Sequence, residues 1–543
     1  MQSLPCSSAT AWVAAATVAA LAAPAAMGQA ADGVLDKPEP SVSDLLKRLD
    51  VLEERNKELE GKVTDLTRQQ GEEWLGEQRA AQIREVVRDV LADSEQRASL
   101  RDGGMTAGWN DGFFLASPDG RFRMNLGGFV QTRFIWSAIQ TSPSVPYTFD
   151  QQQDRYGFDV PQVQLWADGH IFSRDFQYMV KARFYEQFLT ELNKGTTAPV
   201  PGAADYSGFE LMDAWARINL DDNWSVRAGQ FRSPYSRGFL VLEQYQMSAS
   251  RSVVDYHYAL GYTQGLELEY ASDEARMRMS LNNGAEDNLL GDPAANYGAA
   301  GVGLGQFKIF PTGSYGSQNA PFWAQTAAIS ATGRFDWKMA GTWDQFRSYT
   351  SPAMEEFGLL MGLGVHYQNS YAYQPNNSAG GLPDPSNTWF ATTFDAQLNF
   401  GGASFYGAFF YNYLDAPGAT NPQFGSLPSS GNFIDLGGFS IYAFQTMASA
   451  YIAPKMELFG RYEFAMIDGI NSAAVGPVLA DPDPLNLLTV GFNWYLDGQD
   501  LKWTTDLGWA ITEVHPWFAD IEAGWRPSAS DEVVFRTQLQ LMF

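Results

Sequence analysis

Cations at alternate positions are the residues of this chain best placed to do chemistry. Arg121 and Arg123 are spaced by two, as are Lys181 and Arg183, and Arg133 and Arg217 recur in similar segments. On an extended backbone that spacing puts each pair on one face. A wall of such charges attracts anions wherever screening is poor. Groups for covalent chemistry are scarcer. The four histidines, His170, His257, His366 and His515, form no HExxH pair, and no GxSxG surrounds a serine. No CxxC, EF-hand loop or Gly-Lys-Ser/Thr phosphate loop occurs, so neither a metal nor a cofactor is expected, and the chain does not read as an enzyme. A serine and a histidine meeting across strands is the catalytic arrangement that spacing leaves open. The net charge of −26 argues against nucleic acid as a partner.

The elements that carry these cations alternate. Over about 121–136, Arg121, Arg123, Asn125, Gln131 and Arg133 oppose Phe122, Met124, Leu126, Val130, Phe134 and Trp136. The pattern recurs over about 156–171, over 176–185 (Lys181 and Arg183 on the polar side) and over 210–220, where Asp213, Arg217 and Asn219 oppose Met212, Ala214 and Ile218. The polar faces are expected to line an aqueous lumen and the apolar faces to meet lipid. Charged residues make up 18% and aromatics 14%, with 51 glycines, and no apolar run of 18 or more follows the N-terminus. That excludes a helical membrane bundle and suits a barrel, although a soluble β-sandwich array could share the composition. The final strand places Val533, Phe535, Leu539, Leu541 and Phe543 against Arg536, Gln538 and Gln540. Ending on an aromatic, it resembles the closing strand of a bacterial outer-membrane barrel.

Connections separate barrel from sandwich. Short joins at 173–175, 221–223, 272–275, 401–402, 454 and 497–499 alternate with long loops near 139–155, 186–208, 233–259, 284–323, 370–386, 416–437, 468–485 and 512–531. The fold class is therefore all-β: an antiparallel transmembrane β-barrel of about 16 strands. Residues 335–357 read either as an elaborate turn or as an extra hairpin, which would make 18. Sixteen strands leave an interior wide enough for water.

Ahead of the barrel, residues 12–27 are Ala-rich and apolar and run into Gly28-Gln29-Ala30-Ala31, so 1–30 reads as a signal peptide cut after Ala30. Its first segment lacks Lys and Arg. The single cysteine, Cys6, falls within it, leaving a mature chain without disulfides. Residues 31–104 read as a periplasmic helical extension. In it Leu45, Leu52, Leu59 and Leu66 occupy d positions and Leu49, Asn56 and Val63 a positions of a parallel coiled coil. A single amphipathic helix lying on the barrel would show a similar stripe. Residues 105–543 form the barrel domain.

Several segments carry a family resemblance: Gly229-Gln230-Phe231-Arg232-Ser233-Pro234-Tyr235, Arg251-Ser252, Leu488 to Leu496, and Arg536 to Gln540. Together they are similar to the phosphate-selective porin O/P family over roughly 105–543. Leu91-Ala92-Asp93 followed by Asp111-Gly112-Phe113-Phe114-Leu115 is similar to its planctomycete-type members. The resemblance implies a sixteen-stranded outer-membrane porin, usually a homotrimer, that passes small ions and solutes passively and is sometimes selective for anions such as phosphate. It also implies that the third long loop, 233–259, folds into the lumen. Arg232, Arg237 and Arg251 would then stand at a constriction beside the wall of Arg121, Arg123, Arg133, Lys181, Arg183 and Arg217.

Charge is distributed unevenly along the barrel. Residues 105–283 hold 15 Lys and Arg against 20 Asp and Glu, whereas 284–543 hold 9 against 24. Opposed basic and acidic walls fit an anion path, and they fit equally the transverse field of a nonspecific porin. Outer-membrane lipid is the expected surrounding. The extension could reach the cell wall, with the barrel as its anchor.

Overall fold

The computed structural model describes residues 105–109, 112–139, 154–184, 209–285, 298–299, 302–303, 327–370, 387–417, 419–420, 433–471, 482–520, 522–527 and 531–543. The signal peptide, the coiled coil and the helical extension expected over 1–104 lie outside these residues.

Sixteen long strands form the wall. They begin with β1 (Arg123–Ala138), β2 (Asp154–His170), β3 (Phe176–Phe184) and β4 (Phe209–Asn219). Next come β5 (Trp224–Arg232), β6 (Tyr262–Ala271), β7 (Ala275–Asn282) and β8 (Ala327–Ala340). They continue through β9 (Gly358–Ser370), β10 (Thr388–Asn399), β11 (Ala403–Asp415) and β12 (Gly438–Ala453). The ring ends with β13 (Met456–Asp468), β14 (Leu485–Asp497), β15 (Leu501–Ala510) and β16 (Val533–Met542). Each strand pairs antiparallel with the next, and β16 returns to β1 with Arg536 opposite Ile135. Closure leaves the wall without an unpaired edge, which a bilayer requires.

Alternation sorts the side chains. Leu165, Leu266, Leu363, Phe394, Phe409, Trp494 and Leu507 are exposed on the outside, while Gln164, Asp395, Gln397, Glu463 and Gln540 are buried inside. Keeping each large apolar side chain in water forgoes about 1.5–3 kcal/mol, so a belt of this size calls for lipid.

Two departures from strict alternation matter. A bulge between β3 and β4, at Lys181/Ala182, breaks the register, and both Met212 and Asp213 are buried. Met212 lines the interior rather than the lipid face that alternation assigns it. The second departure lies in β10–β14, whose inner face is apolar towards the long loops: Trp389, Phe410, Leu414, Phe439, Ile441, Ile467 and Leu485 pack in one buried cluster. Polar side chains do not line the lumen there, because folded-in loops cover that surface.

Residues 341–357 form one elaborate turn between β8 and β9, with a 3₁₀ turn at Gln345–Arg347 and no further hairpin. The count is sixteen.

The seam is closed by the chain's two ends. The Gly128 N–H donates to the Phe543 carbonyl at 2.8 Å, and the Phe543 N–H donates to the Gly128 carbonyl at 3.0 Å. An N-terminal hairpin, Thr106–Trp109 and Phe113–Ala116, pairs with Arg123–Leu126 on the same edge, beyond the end of β16. A Cβ on Gly127 would collide with the Trp166 ring, and one on Gly128 with the Phe543 ring. Successive residues face opposite sides, so the tandem glycines seat one ring on each face of the sheet. Gly128→Val should therefore cut the yield of heat-modifiable, folded barrel on refolding into detergent. Gly157→Val, in β2 with open space around it, should leave that yield unchanged.

Candidate functional site

Among the described residues, three segments fold into the barrel and cover part of its inner wall. The first, 233–261, leaves β5, forms α1 (Arg237–Leu240), a 3₁₀ turn (Glu243–Tyr245) and α2 (Val253–Tyr258), and crosses the interior. Ser236 and Ser252 cap the two short helices by accepting from the Phe239 and Asp255 N–H groups. The loop is tied to most of the far wall. Arg334 of β8 donates to the Tyr235 carbonyl at 2.7 Å, and Asn493 of β14 to that of Met247 at 2.9 Å. Ser252 donates to Glu463 of β13 at 2.7 Å, and the Ala249 N–H to Asp506 of β15 at 2.9 Å. Lys502 of β15 and Gln540 of β16 donate to the carbonyls of Gln246 and Gln244 at 2.9 and 3.0 Å. Burial pushes the Asp255 carboxyl up, against hydrogen bonds from Gln445 and Ser236 and the pull of Arg251.

The second segment, 341–357, rises from the short-turn end beneath that loop. Phe346 and Tyr349 are buried, Gln397 donates to the Ser348 carbonyl at 2.9 Å, and Arg237 of the loop reaches the Phe346 carbonyl at 2.6 Å. The third, 511–527, turns in from the long-loop end. It buries Trp517, Phe518 and Trp525, and its Glu522 carbonyl accepts from Arg133 of β1 at 2.7 Å.

The expected acidic wall is consequently covered. Asp395, Glu463 and Asp506 are buried and paired with Arg334, Arg461 and Arg536 at 2.7–2.8 Å, or hold the crossing loop. Among the described residues these three acids present no exposed acidic face to a solute.

Open space remains along β1–β4. A cavity of about 560 Å³ at the short-turn end is lined by Arg123, Asp168, His170, Arg174, Gln177 and Trp215. A second, of about 170 Å³, lies towards the long loops between Gln131, Arg133 and Arg183 on the wall and Glu243, Arg251 and Glu522 on the loops. Trp166, Lys181 and Asp213 occupy the strand positions between the two.

Most cations along this path are paired with carboxylates, while Arg123 donates to Asn125 at 2.8 Å. Arg133 meets Asp159 at 2.7 Å, Arg183 meets Glu210 at 2.6 Å, and Arg217 meets Glu269 at 2.6 Å. Glu243 receives Arg232 at 2.8 Å and Arg251 at 3.0 Å, with Lys181 at 4.0 Å. Burial alone would push the Glu243 carboxyl up, but these three cations hold it well below the usual carboxylate range. Two of the nine cations picked out from sequence stand apart. Arg121 is exposed in a turn, donating to the Phe172 carbonyl at 3.4 Å. Arg237 is bonded to Gln397 and Phe346, away from the open wall.

β5–β8 carry further charged residues on the inner face that the sequence pattern of the first strands does not include: Arg227, Glu267, Arg276, Arg278, Arg334 and Asp336. Arg227 pairs with Glu267 at 2.7 Å, Arg276 with Glu269 at 3.4 Å, and Arg278 with Asp336 at 3.3 Å. The i, i+2 spacing of Glu267 with Glu269 and of Arg276 with Arg278 was the available signal. The histidines have structural surroundings: His366 lies between Thr332 and Gln368 at 2.9 and 3.2 Å, and His170 contacts the Gly120 carbonyl at 3.0 Å.

The family model for phosphate-selective porin O and P matches residues 139–302, a stretch containing β2–β7 and the whole crossing loop. Over that stretch the chain is similar to the porin O and P family. Among curated protein sequences nothing matches. Similar solved structures include the anion-selective porin from Comamonas acidovorans, at 11% identity over 77% of this chain and 99% of that one, with a TM-score of 0.44. The outer-membrane channel DcaP of Acinetobacter baumannii is 12% identical over 80% of this chain and 100% of its own, with a TM-score of 0.43. Salmonella typhi OmpF is 10% identical over 81% and 100%, with a TM-score of 0.44.

Proposed function

We propose that the porin passes small hydrophilic solutes and ions by passive diffusion along β1–β5, with a modest preference for anions, phosphate among them. One observation carries the reading. The folded-in segments cover the wall from β8 to β16 but leave two cavities in series along β1–β4. Arg123, Arg133, Lys181, Arg183, Arg232 and Arg251 border that route, and the pairing of the last five with carboxylates keeps the preference modest. No catalytic step belongs to this reading. A homotrimer in outer-membrane lipid, with the extension of 31–104 in the periplasm and in reach of the cell wall, completes it.

The test is a planar bilayer. Stepwise conductance is expected, with a reversal potential in a KCl gradient displaced towards chloride. A protein that stays dissolved without detergent and gives no conductance steps would overturn the reading.

A further inference from the structure

One carboxylate on the crossing loop stands out from the other acids of the open wall. Glu210, Glu267 and Glu269 belong to wall strands and neutralise arginines of neighbouring strands. Glu243 comes from the loop and is contacted by three cations from three different elements. Lys181 belongs to β3, Arg232 to the end of β5 and Arg251 to the loop itself. Arg232 donates to both of its oxygens, at 3.1 and 2.8 Å. Both Glu243 and Arg251 line the 170 Å³ cavity. All four side chains are largely shielded, at 4% exposure for Lys181, 6% for Arg232, 13% for Arg251 and 15% for Glu243. Their charges are therefore weakly screened.

The carboxylate is also held firmly in place. The adjoining Gln244 and Gln246 carbonyls are bonded by Gln540 and Lys502 from the opposite wall, so the 3₁₀ turn that starts at Glu243 spans the interior like a strut. Two other described acids act on these cations without an ion pair to a wall arginine: Asp213 on β4, near Lys181 and Arg232, and Asp255 on the loop, near Arg251.

We infer that Glu243 determines the ion preference of the channel by masking the cations Lys181, Arg232 and Arg251 beside the smaller of the two cavities. With the carboxylate present, the cluster holds three positive charges against Glu243 and Asp213 and attracts anions weakly. Without it, the three cations keep no carboxylate within ion-pair distance among the described residues, only the more remote Asp213 and Asp255, and an anion entering the cavity takes the place of the missing carboxylate. Rings of Arg and Lys select anions in this way.

This inference rests on the porin reading, and bilayer recordings separate the two. Glu243→Gln keeps the shape of the side chain and removes its charge. It should raise the chloride-to-potassium permeability ratio about threefold or more and make the chloride current sensitive to block by millimolar inorganic phosphate. Adding Lys181→Gln to that variant removes one cation and should bring the ratio back towards wild type. A change caused by a displaced loop would not be reversed in this way. Lys181→Gln alone retains the Arg232–Glu243 pair and should shift the ratio towards potassium, so it carries the test if Glu243→Gln fails to assemble. A Glu243→Gln channel that conducts with the wild-type reversal potential would overturn the inference, as would an unshifted Lys181→Gln. A wild-type protein without conductance would instead overturn the porin reading beneath it.

Discussion

Replacing residues 239–256 with a short Gly-Ser linker is expected to raise single-channel conductance about threefold or more and to erase the proposed ion preference. The crossing loop is what narrows an interior that sixteen strands would otherwise leave wide. It spans from β5 to β16 and is anchored at Arg334, Glu463, Asn493, Asp506 and Gln540. Its excision also removes Glu243 and Arg251, and with them the charged narrow point. The turn 341–357 provides the contrast. It lies beneath the loop, in series with it, through the Arg237 contact to Phe346. Trimming 342–356 alone should alter conductance far less, because the loop still covers that half of the lumen. Planar-bilayer recordings of the two deletions and of their combination check this order. Equal conductance for wild type and the loop deletion would show that the loop does not limit flow.

Arg334→Leu is expected to destabilise the barrel by about 3–5 kcal/mol, since removing one partner of a buried ion pair strands the other charge. Arg334 is 2% exposed and pairs with Asp336 at 2.6 Å and with Asp395 at 2.8 Å. It also donates to the Tyr235 carbonyl, so the same substitution frees the start of the crossing loop from β8. Asp336 keeps Arg278 at 3.3 Å, whereas Asp395, 1% exposed, loses its only ion pair among the described residues. Adding Asp395→Leu should recover a large part of the loss, because no unpaired carboxylate then stays buried. The midpoint of urea unfolding in detergent, followed by gel mobility, reports both values. A single variant as stable as wild type would show that the ion pair contributes nothing net.

The two deletions and the Arg334 variants depend on contacts of different range, and the same difference decides what sequence reasoning could reach. Strand identity was legible because a half-lipid, half-interior strand must alternate every two residues, as Phe122 to Trp136 and Val533 to Phe543 do. The number of strands was legible from short turns alternating with long loops, including the choice between sixteen and eighteen down to one ambiguous segment. That segment, 335–357, stayed ambiguous because Trp337–Tyr349 alternates like a strand, although only its first residues pair with β7 and β9.

Charge pairing was not legible, because it depends on register between strands. Arg183 stands opposite Glu210, and Arg227 opposite Glu267, only in the observed alignment. A slip by one residue would turn those partners to the other face. The folding-in of the loops was even less accessible. Arg133 bonds the Glu522 carbonyl 389 residues away, and Ala249 bonds Asp506 across 257 residues. By itself the sequence determined a closed barrel, greasy outside, with cations along its first strands, because these follow from local periodicity against lipid and water. The tertiary structure alone decided that the acids Asp395, Glu463 and Asp506 are buried, that two cavities lie along the first strands, and that a loop carboxylate pairs with three of the cations there. Those outcomes arise from contacts between distant segments, which no local pattern encodes.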